Sequence, residues 1–319
     1  MLHHVLPGGG QQAGFNPNRG LEITPEFLAS TIEHLRERGV DIISLTEAIE
    51  RIRTNSSGEQ PFAAITIDDG YRDTLEYAVP VMRERNVPYA VFVASSIADG
   101  ICELWWRILE VAVRDNDLII AALPDGIVTL PSRTVSEKRS VFQSLYWPVR
   151  RMEQHEQRRW IREFAAQYDI DIDGYCRSVA LDWDQIRELA RDPLCTIGAH
   201  SENHFAMSRL EPDEALAEMT ASGDRIEQEI GHRPQFLAYP YGDETSVGPR
   251  DFELAARAGY EAALTTMKGL VSGDDAKSLW SLPRLSLNGD YQRLDYLDTL
   301  MSGVPFAARD MARRLLDRT

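Results

Sequence analysis

Hydrophobic positions follow two rhythms: short, nearly continuous apolar runs, and longer stretches with apolar residues three or four apart. Residues 2–6 are a short apolar run ahead of the Gly8-Gly9-Gly10 loop. Thr24-Pro25-Glu26 reads as a helix start, a hydroxyl cap followed by proline at the first helical position. Leu28, Ile32 and Leu35 then share one face, and Gly39 closes the helix. Residues 40–45 predict a strand, with Thr46 capping the next helix. Residues 62–67 predict a strand ending in Asp68-Asp69-Gly70, and 74–86 a helix kinked at Pro80. Residues 89–94 are apolar almost throughout, as in a strand buried on both faces.

The rhythm breaks from about 96 to 191, where charged helical patterns cover 103–114 and 153–168. That stretch holds five of the six tryptophans. It resumes at Cys195-Thr196-Ile197-Gly198-Ala199-His200, followed by a helix over 212–230, a strand over 235–239, a helix over 250–258 and strands over 260–265 and 282–287. Roughly eight strands alternating with helices predict a parallel α/β barrel. The expected organisation is one domain over 1–319, interrupted by a mostly helical insertion at 96–191 and ended by a helical tail at 291–319.

Composition narrows the partners. The 319 residues carry 34 Lys plus Arg against 50 Asp plus Glu, a formal charge of −16. Such a chain repels nucleic acid and anionic membrane surfaces. Cys102, Cys176 and Cys195 form no Cys-x-x-Cys pair, which excludes a cysteine zinc ribbon and a disulfide framework and suits a reducing compartment. No apolar run approaches the ~18 residues of a membrane span. The start, Met1-Leu2-His3-His4-Val5-Leu6-Pro7, lacks the basic and apolar regions of a signal peptide. The expectation is a cytoplasmic protein of unassigned oligomeric state.

Three polar clusters lie at predicted strand ends: Asp68-Asp69-Gly70, His200-Ser201-Glu202-Asn203-His204 and Tyr239-Pro240-Tyr241-Gly242-Asp243. In parallel α/β barrels the C-terminal strand ends form the active face. A spacing of four lets His200 and His204 face one side of a helical turn and share a cation. Ser201 stands where a zinc protease would need its glutamate, so that motif is excluded. A carboxylate from Asp68 or Asp69 would complete a two-histidine, one-carboxylate set with open positions. Adjacent carboxylates repel unless something binds them. One would hold the cation, and the other would take a proton from a water acidified by it. The competing reading makes Asp69 or Asp73 a cap for the helix over 74–86.

Thr66-Ile67-Asp68-Asp69-Gly70 resembles the T-F-D-D-G motif of NodB-homology polysaccharide deacetylases. His200-Ser201-x-x-His204 resembles their H-[ST]-x-x-H motif, and Ala238-Tyr239-Pro240-Tyr241-Gly242 an A-Y-P-Y-G form of the third. The resemblance runs from about Leu2 to Leu287 outside the insertion. It implies a distorted (β/α) barrel and a metal-dependent hydrolase that removes an N-acyl group, most often acetyl, from an amino sugar. Asp68 would be the base. Asp69, His200 and His204 would hold a divalent ion, zinc or similar, and the Tyr241 backbone N–H would line an oxyanion hole. The partner would be an amino-sugar-containing saccharide or, given the expected location, a lipid-linked or nucleotide-linked precursor.

The chain also departs from the pattern. Ala238 occupies the place of an arginine that braces the catalytic aspartate in better-known members, and the fourth-motif Asp and fifth-motif His are missing from 261–266 and 282–287. Arg284 is either a replacement brace paired with Asp68 or an ordinary surface arginine. His3 is either the missing proton donor, brought close because first and last strands of a closed barrel are neighbours, or a structural histidine. His4 should face away from it. Trp105, Trp106, Trp147 and Trp160 either pack the insertion's core, the favoured reading, or stack on sugar rings. Competing functions on the same fold are a formamido-sugar deformylase, a cyclic amidase and a non-catalytic carbohydrate-binding protein.

Overall fold

Six strands form the central sheet, in spatial order β12-β11-β10-β9-β6-β5, and every pairing in it is parallel. In the computed structural model, which describes residues 1–10, 14–54 and 60–309, the strands are β1 His4–Val5, β2 Glu22–Ile23, β3 Asp41–Ile42, β4 Phe62–Ala63, β5 Ile65–Ile67, β6 Tyr89–Val93, β7 Leu118–Leu123, β8 Gly126–Pro131, β9 Cys195–Ala199, β10 Phe236–Ala238, β11 Ala262–Lys268 and β12 Leu282–Arg284. The helices are α1 Pro25–Glu37, α2 Leu45–Arg53, α3 Val79–Glu84, α4 Ser95–Ala98, α5 Trp105–Asp115, α6 Val135–Arg151, α7 Gln154–Gln167, α8 Ile172–Val179, α9 Trp183–Ala190, α10 Pro212–Ile230, α11 Pro249–Arg257 and α12 Leu294–Met301.

The sheet curls into a barrel whose seam is bridged by the start of the chain. Leu2 N–H donates to the Thr66 carbonyl, Asp68 N–H to the Leu2 carbonyl, and Leu287 N–H to the Met1 carbonyl. The first residues therefore lie between β5 and the segment beyond β12. Because the strands are parallel, Asp68, His200, Tyr239 and Lys268 all emerge at one rim.

One apolar cluster packs the sheet against its surrounding helices, including Val91, Leu237, Leu28 and Ile186. A second joins α5, α6, α7 and α8 to the β7–β8 hairpin and reaches Tyr71 and Tyr241 beside the strand ends. At about 25 cal/mol per Å² of apolar surface, burial of this kind dominates the stabilisation of both.

Several expected elements shift for local reasons. Ser44, not Thr46, caps α2, accepting from the Glu47 N–H at 3.1 Å. Over 74–86 the chain makes one wide turn, Thr74–Ala78, in which the Val79 N–H reaches the Thr74 carbonyl five residues back, before α3 begins. Pro80, at the start of α3, has no N–H to continue a regular ladder backward. Asp73 caps nothing: its carboxylate accepts from the Val5 N–H at 2.8 Å and faces His4. The stretch between β6 and β9 contains the antiparallel β7–β8 pair, which the helical reading missed. Of the tail expected over 291–319, α12 is present and 310–319 lie outside the described residues. No described helix is long and apolar enough to cross a membrane.

Candidate active site

Asp69, His200 and His204 converge. Their ligand atoms lie within 4.8 Å of one another, and all three residues are buried. Asp69 Oδ1 is 3.1 Å from His200 Nε2 and 3.2 Å from His204 Nε2. The two histidines do not share a helical turn, as their spacing suggested. They sit in the loop after β9, where Ser201 (φ 61°) and His204 (φ 55°) adopt left-handed backbone. Ser201 Oγ accepts from the His204 N–H at 3.1 Å and fixes that loop. Asp69 (φ 74°) and Tyr241 (φ 61°) are left-handed too. A side chain in that region costs on the order of 1–3 kcal/mol, and its concentration at one rim is typical of functional sites.

The donor set fits a divalent cation. His200 Nδ1 lies 2.7 Å from the Ala238 carbonyl, an oxygen that only accepts, so the ring proton sits on Nδ1. With that tautomer the Nε2 lone pair of His200 faces the Asp69 carboxylate, acceptor against acceptor. Burial drives the His204 pKa down to about 4, keeping that ring neutral. Its Nδ1 is buried without a partner. A positive charge between the two imidazoles and the carboxylate resolves this arrangement, and nitrogen and oxygen ligands of this kind suit zinc or a similar ion.

Asp68 faces a different partner. Arg284 forks onto it, Nη1 donating to Oδ1 at 2.8 Å and Nη2 to Oδ2 at 2.6 Å. Arg284 is anchored by Nε on the Thr265 carbonyl at 2.8 Å and by Nη1 on Thr66 Oγ1 at 3.1 Å. Burial pushes the Asp68 carboxyl up, and the guanidinium more than offsets it, so the group is ionised.

The remaining candidates divide. His3 lines the same cavity as Asp68, Asp69, His200, His204 and Tyr241, a cavity of about 650 Å³. Burial lowers its pKa against the opposing pull of Asp69 and Asp68, so its ring is neutral at rest. His4 turns the other way, Nδ1 at 2.6 Å from Asp73 Oδ2 and its ring stacked on Tyr71 at 3.9 Å. Tyr241 is held by its carbonyl, which accepts from Thr266 Oγ1 at 2.6 Å, and by its hydroxyl, which accepts from Trp105 Nε1 at 2.8 Å. Among the described residues no backbone carbonyl accepts from its N–H. Trp105 is fully buried, and Trp160 stacks on Phe164. Trp106 packs against His204 and lines the cavity, which the exposed Trp147 also borders.

Glu218 on α10 went unnoticed in the sequence. Its buried carboxylate accepts from the Asn203 N–H at 2.8 Å and from Asn203 Nδ2 at 2.6 Å, steadying the histidine loop. Arg158 Nη2 donates to the Asn203 carbonyl at 2.7 Å. Neither carried a signal beyond a charged residue in a helical pattern.

Comparison with known proteins places the chain in a family. The sequence model of the polysaccharide deacetylase family matches residues 55–263, more than half of the chain. Among curated proteins no sequence relative is found. Similar solved structures include the Streptococcus pyogenes deacetylase PplD in complex with acetate, at 16% identity over 94% of this chain and 96% of that one, with a TM-score of 0.60. A de-N-acetylase from Aggregatibacter actinomycetemcomitans gives 16%, 94%, 97% and 0.58, and IcaB from Ammonifex degensii 16%, 91%, 91% and 0.55. At such identity the likeness speaks for the fold, a curled parallel sheet of the deacetylase barrel type. The sequence match covers Asp68, Asp69, His200, His204 and Tyr241, while His3 and Arg284 lie outside it, and on its extent the chain belongs to the polysaccharide deacetylase family.

Proposed function

We propose that the protein hydrolyses the N-acyl bond, an acetamide in the leading case, of an amino sugar within a saccharide. The observation that carries this reading is the Asp69–His200–His204 cluster beside an ionised, braced Asp68. Asp69 Oδ1 and the Nε2 atoms of His200 and His204 would hold a divalent ion, zinc or similar. When bound, such an ion supplies Lewis acidity, acidifying a water and polarising the acyl carbonyl.

The chain's own groups do the rest. Asp68 accepts the proton of the attacking water on its carboxylate, whose orientation Arg284 fixes. The Tyr241 N–H, turned by its left-handed backbone, donates to the oxygen on which negative charge develops. The leaving amine must gain a proton. His3 is neutral at rest, so it acts as a relay that takes the proton Asp68 removed from the water and passes it to the amine nitrogen as the C–N bond breaks, which leaves Asp68 ionised again. Trp147, exposed at the border of the cavity, offers an apolar face on which a pyranose ring packs. The family match and the deacetylases among the similar structures support the same reaction class.

Metal content of the purified protein, measured beside an Asp69→Ala, His200→Ala double variant, tests the reading. About one divalent ion per chain, lost in the double variant together with acetate release from N-acetylated saccharides, is the expected result. A wild-type protein that neither contains nor takes up a divalent ion would sink it.

A further inference from the structure

The cavity that holds the candidate active site is cationic on one side, against the sign of the whole chain. Arg150 and Arg151 close α6, Arg209 lies in the turn Met207–Arg209, Lys268 ends β11, and all four line the cavity in a protein of net charge −16. Of the carboxylates lining it among the described residues, Asp68 is occupied by Arg284 and Asp69 by the histidines. Only the half-exposed Asp243 approaches the cationic side, at 3.6 Å from Arg150 Nη2.

Arg150 is the informative residue. Its side chain is 5% exposed, and its guanidinium lies 3.7 Å from the centre of the Tyr241 ring. Nη2 donates to Ser246 Oγ at 2.6 Å, but the buried Nη1 has no acceptor. A buried guanidinium N–H without a partner is unusual and costs free energy that a ligand oxygen would recover. Arg209 is held against it: Nη1 of Arg209 donates to the Arg150 carbonyl. Burial and then the Arg150 charge both press the Arg209 pKa down, as expected of like charges gathered without an anion.

We infer that the cavity binds a phosphoryl group carried by the amino-sugar substrate, with Arg150 Nη1 and Arg209 as its donors and Arg151 and Lys268 as the surrounding field. Several cations around one unfilled donor suit a group that spreads charge over three or more oxygens better than a single carboxylate. Arg150 stacks on the ring of Tyr241, whose N–H is assigned to the acyl oxygen, so the phosphoryl site borders the acyl site. The inference rests on the deacylase reading for its substrate, but not for the anion site itself.

Two measurements separate the two. In the first, kcat/KM for acetate release by the metal-loaded enzyme is compared across a neutral N-acetylglucosamine oligomer, N-acetylglucosamine 1-phosphate, and N-acetylglucosamine joined through pyrophosphate to a prenyl lipid in micelles. A phosphorylated substrate should be favoured by about tenfold or more. Arg150→Gln, and separately the less buried Arg209→Gln, should erase most of that preference through KM. Preference for the soluble or the lipid-linked compound identifies the source of the phosphate. Equal kcat/KM for neutral and phosphorylated substrates, or a preference that survives both substitutions, overturns the inference and leaves the deacylase reading standing.

In the second, inorganic pyrophosphate is titrated by calorimetry into wild type, Arg150→Gln and the Asp69→Ala, His200→Ala double variant. Binding weakened about tenfold by Arg150→Gln but kept in the double variant supports the anion site even if no acetate is released from any substrate. Absent binding, or binding lost only with the cation ligands, overturns it.

Discussion

Asp68 and Asp69 are neighbours in sequence and differ in everything their side chains meet. Asp69 turns to two imidazoles; Asp68 turns to one guanidinium. The left-handed backbone at Asp69 lets both side chains reach the same cavity, since an extended pair would face opposite sides of a strand. Arg284 sets the orientation of Asp68 from the far side of the barrel seam. Replacing it with glutamine should lower kcat by about 10²-fold, because the base loses its fixed geometry. The same change leaves a buried carboxylate unpaired and should cost about 3–5 kcal/mol of stability. Arg284→Lys retains the charge without the fork and should recover part of the stability but less of the rate. Chemical denaturation and steady-state kinetics on both variants check this, and an Arg284→Gln enzyme of wild-type kcat would remove Arg284 from the mechanism.

At the scale of elements, the site depends on how β9 is placed beside β6. Asp192, in the turn between α9 and β9, accepts from the Leu194 N–H at 3.0 Å, from Arg83 Nε at 2.7 Å and from the Tyr89 hydroxyl at 3.2 Å. It thereby ties the start of β9 to the start of β6 and to α3. Burial raises its carboxyl, but these donors prevail and its pKa is depressed. A depressed folded-state pKa gives stability that is present above the unfolded value of ~3.9 and is lost as pH falls through the folded value. Asp192→Asn should therefore be less stable than wild type by about 1–2 kcal/mol at pH 7. The gap should narrow progressively below about pH 4. Urea unfolding at pH 7, 5 and 3 measures it, and a gap that does not change with pH would mean the charge is irrelevant there.

Across the whole molecule, the stretch between β6 and β9 is tied to the barrel rather than merely appended. The apolar cluster of α5–α8 includes Tyr71 and extends to Tyr241, and Trp105 donates to the Tyr241 hydroxyl. Trp105→Phe keeps most of the packing and removes that donor. It should cost about 1–3 kcal/mol and lower kcat, since the Tyr241 N–H is the proposed donor to the acyl oxygen. A thermal melt read beside kcat checks both; stability lost with kcat intact would confine Trp105 to the core.

The linear sequence was enough to determine the alternation of elements, the α10 bounds, the Thr24–Pro25 helix start, and the grouping of Asp68, Asp69, His200, His204 and Tyr241 at strand ends. Each rests on local chemistry: periodicity, capping, and fixed motif spacing. Spacing alone left open which aspartate meets the histidines, a choice only the family resemblance made in favour of Asp69, and it left open whether Arg284 is a brace or a surface residue and whether His3 enters the cavity. Those answers depend on contacts across the barrel seam, between residues more than two hundred positions apart for Arg284 and Asp68. The β7–β8 hairpin was hidden because its exposed face carries apolar residues such as Ile120 and Ile127, which blur the two-residue alternation. The cationic wall was invisible for a related reason. Arg150, Arg209 and Lys268 are ordinary charges along the chain, and only tertiary packing buries the first, leaves its Nη1 without a partner and gathers the others around the same cavity.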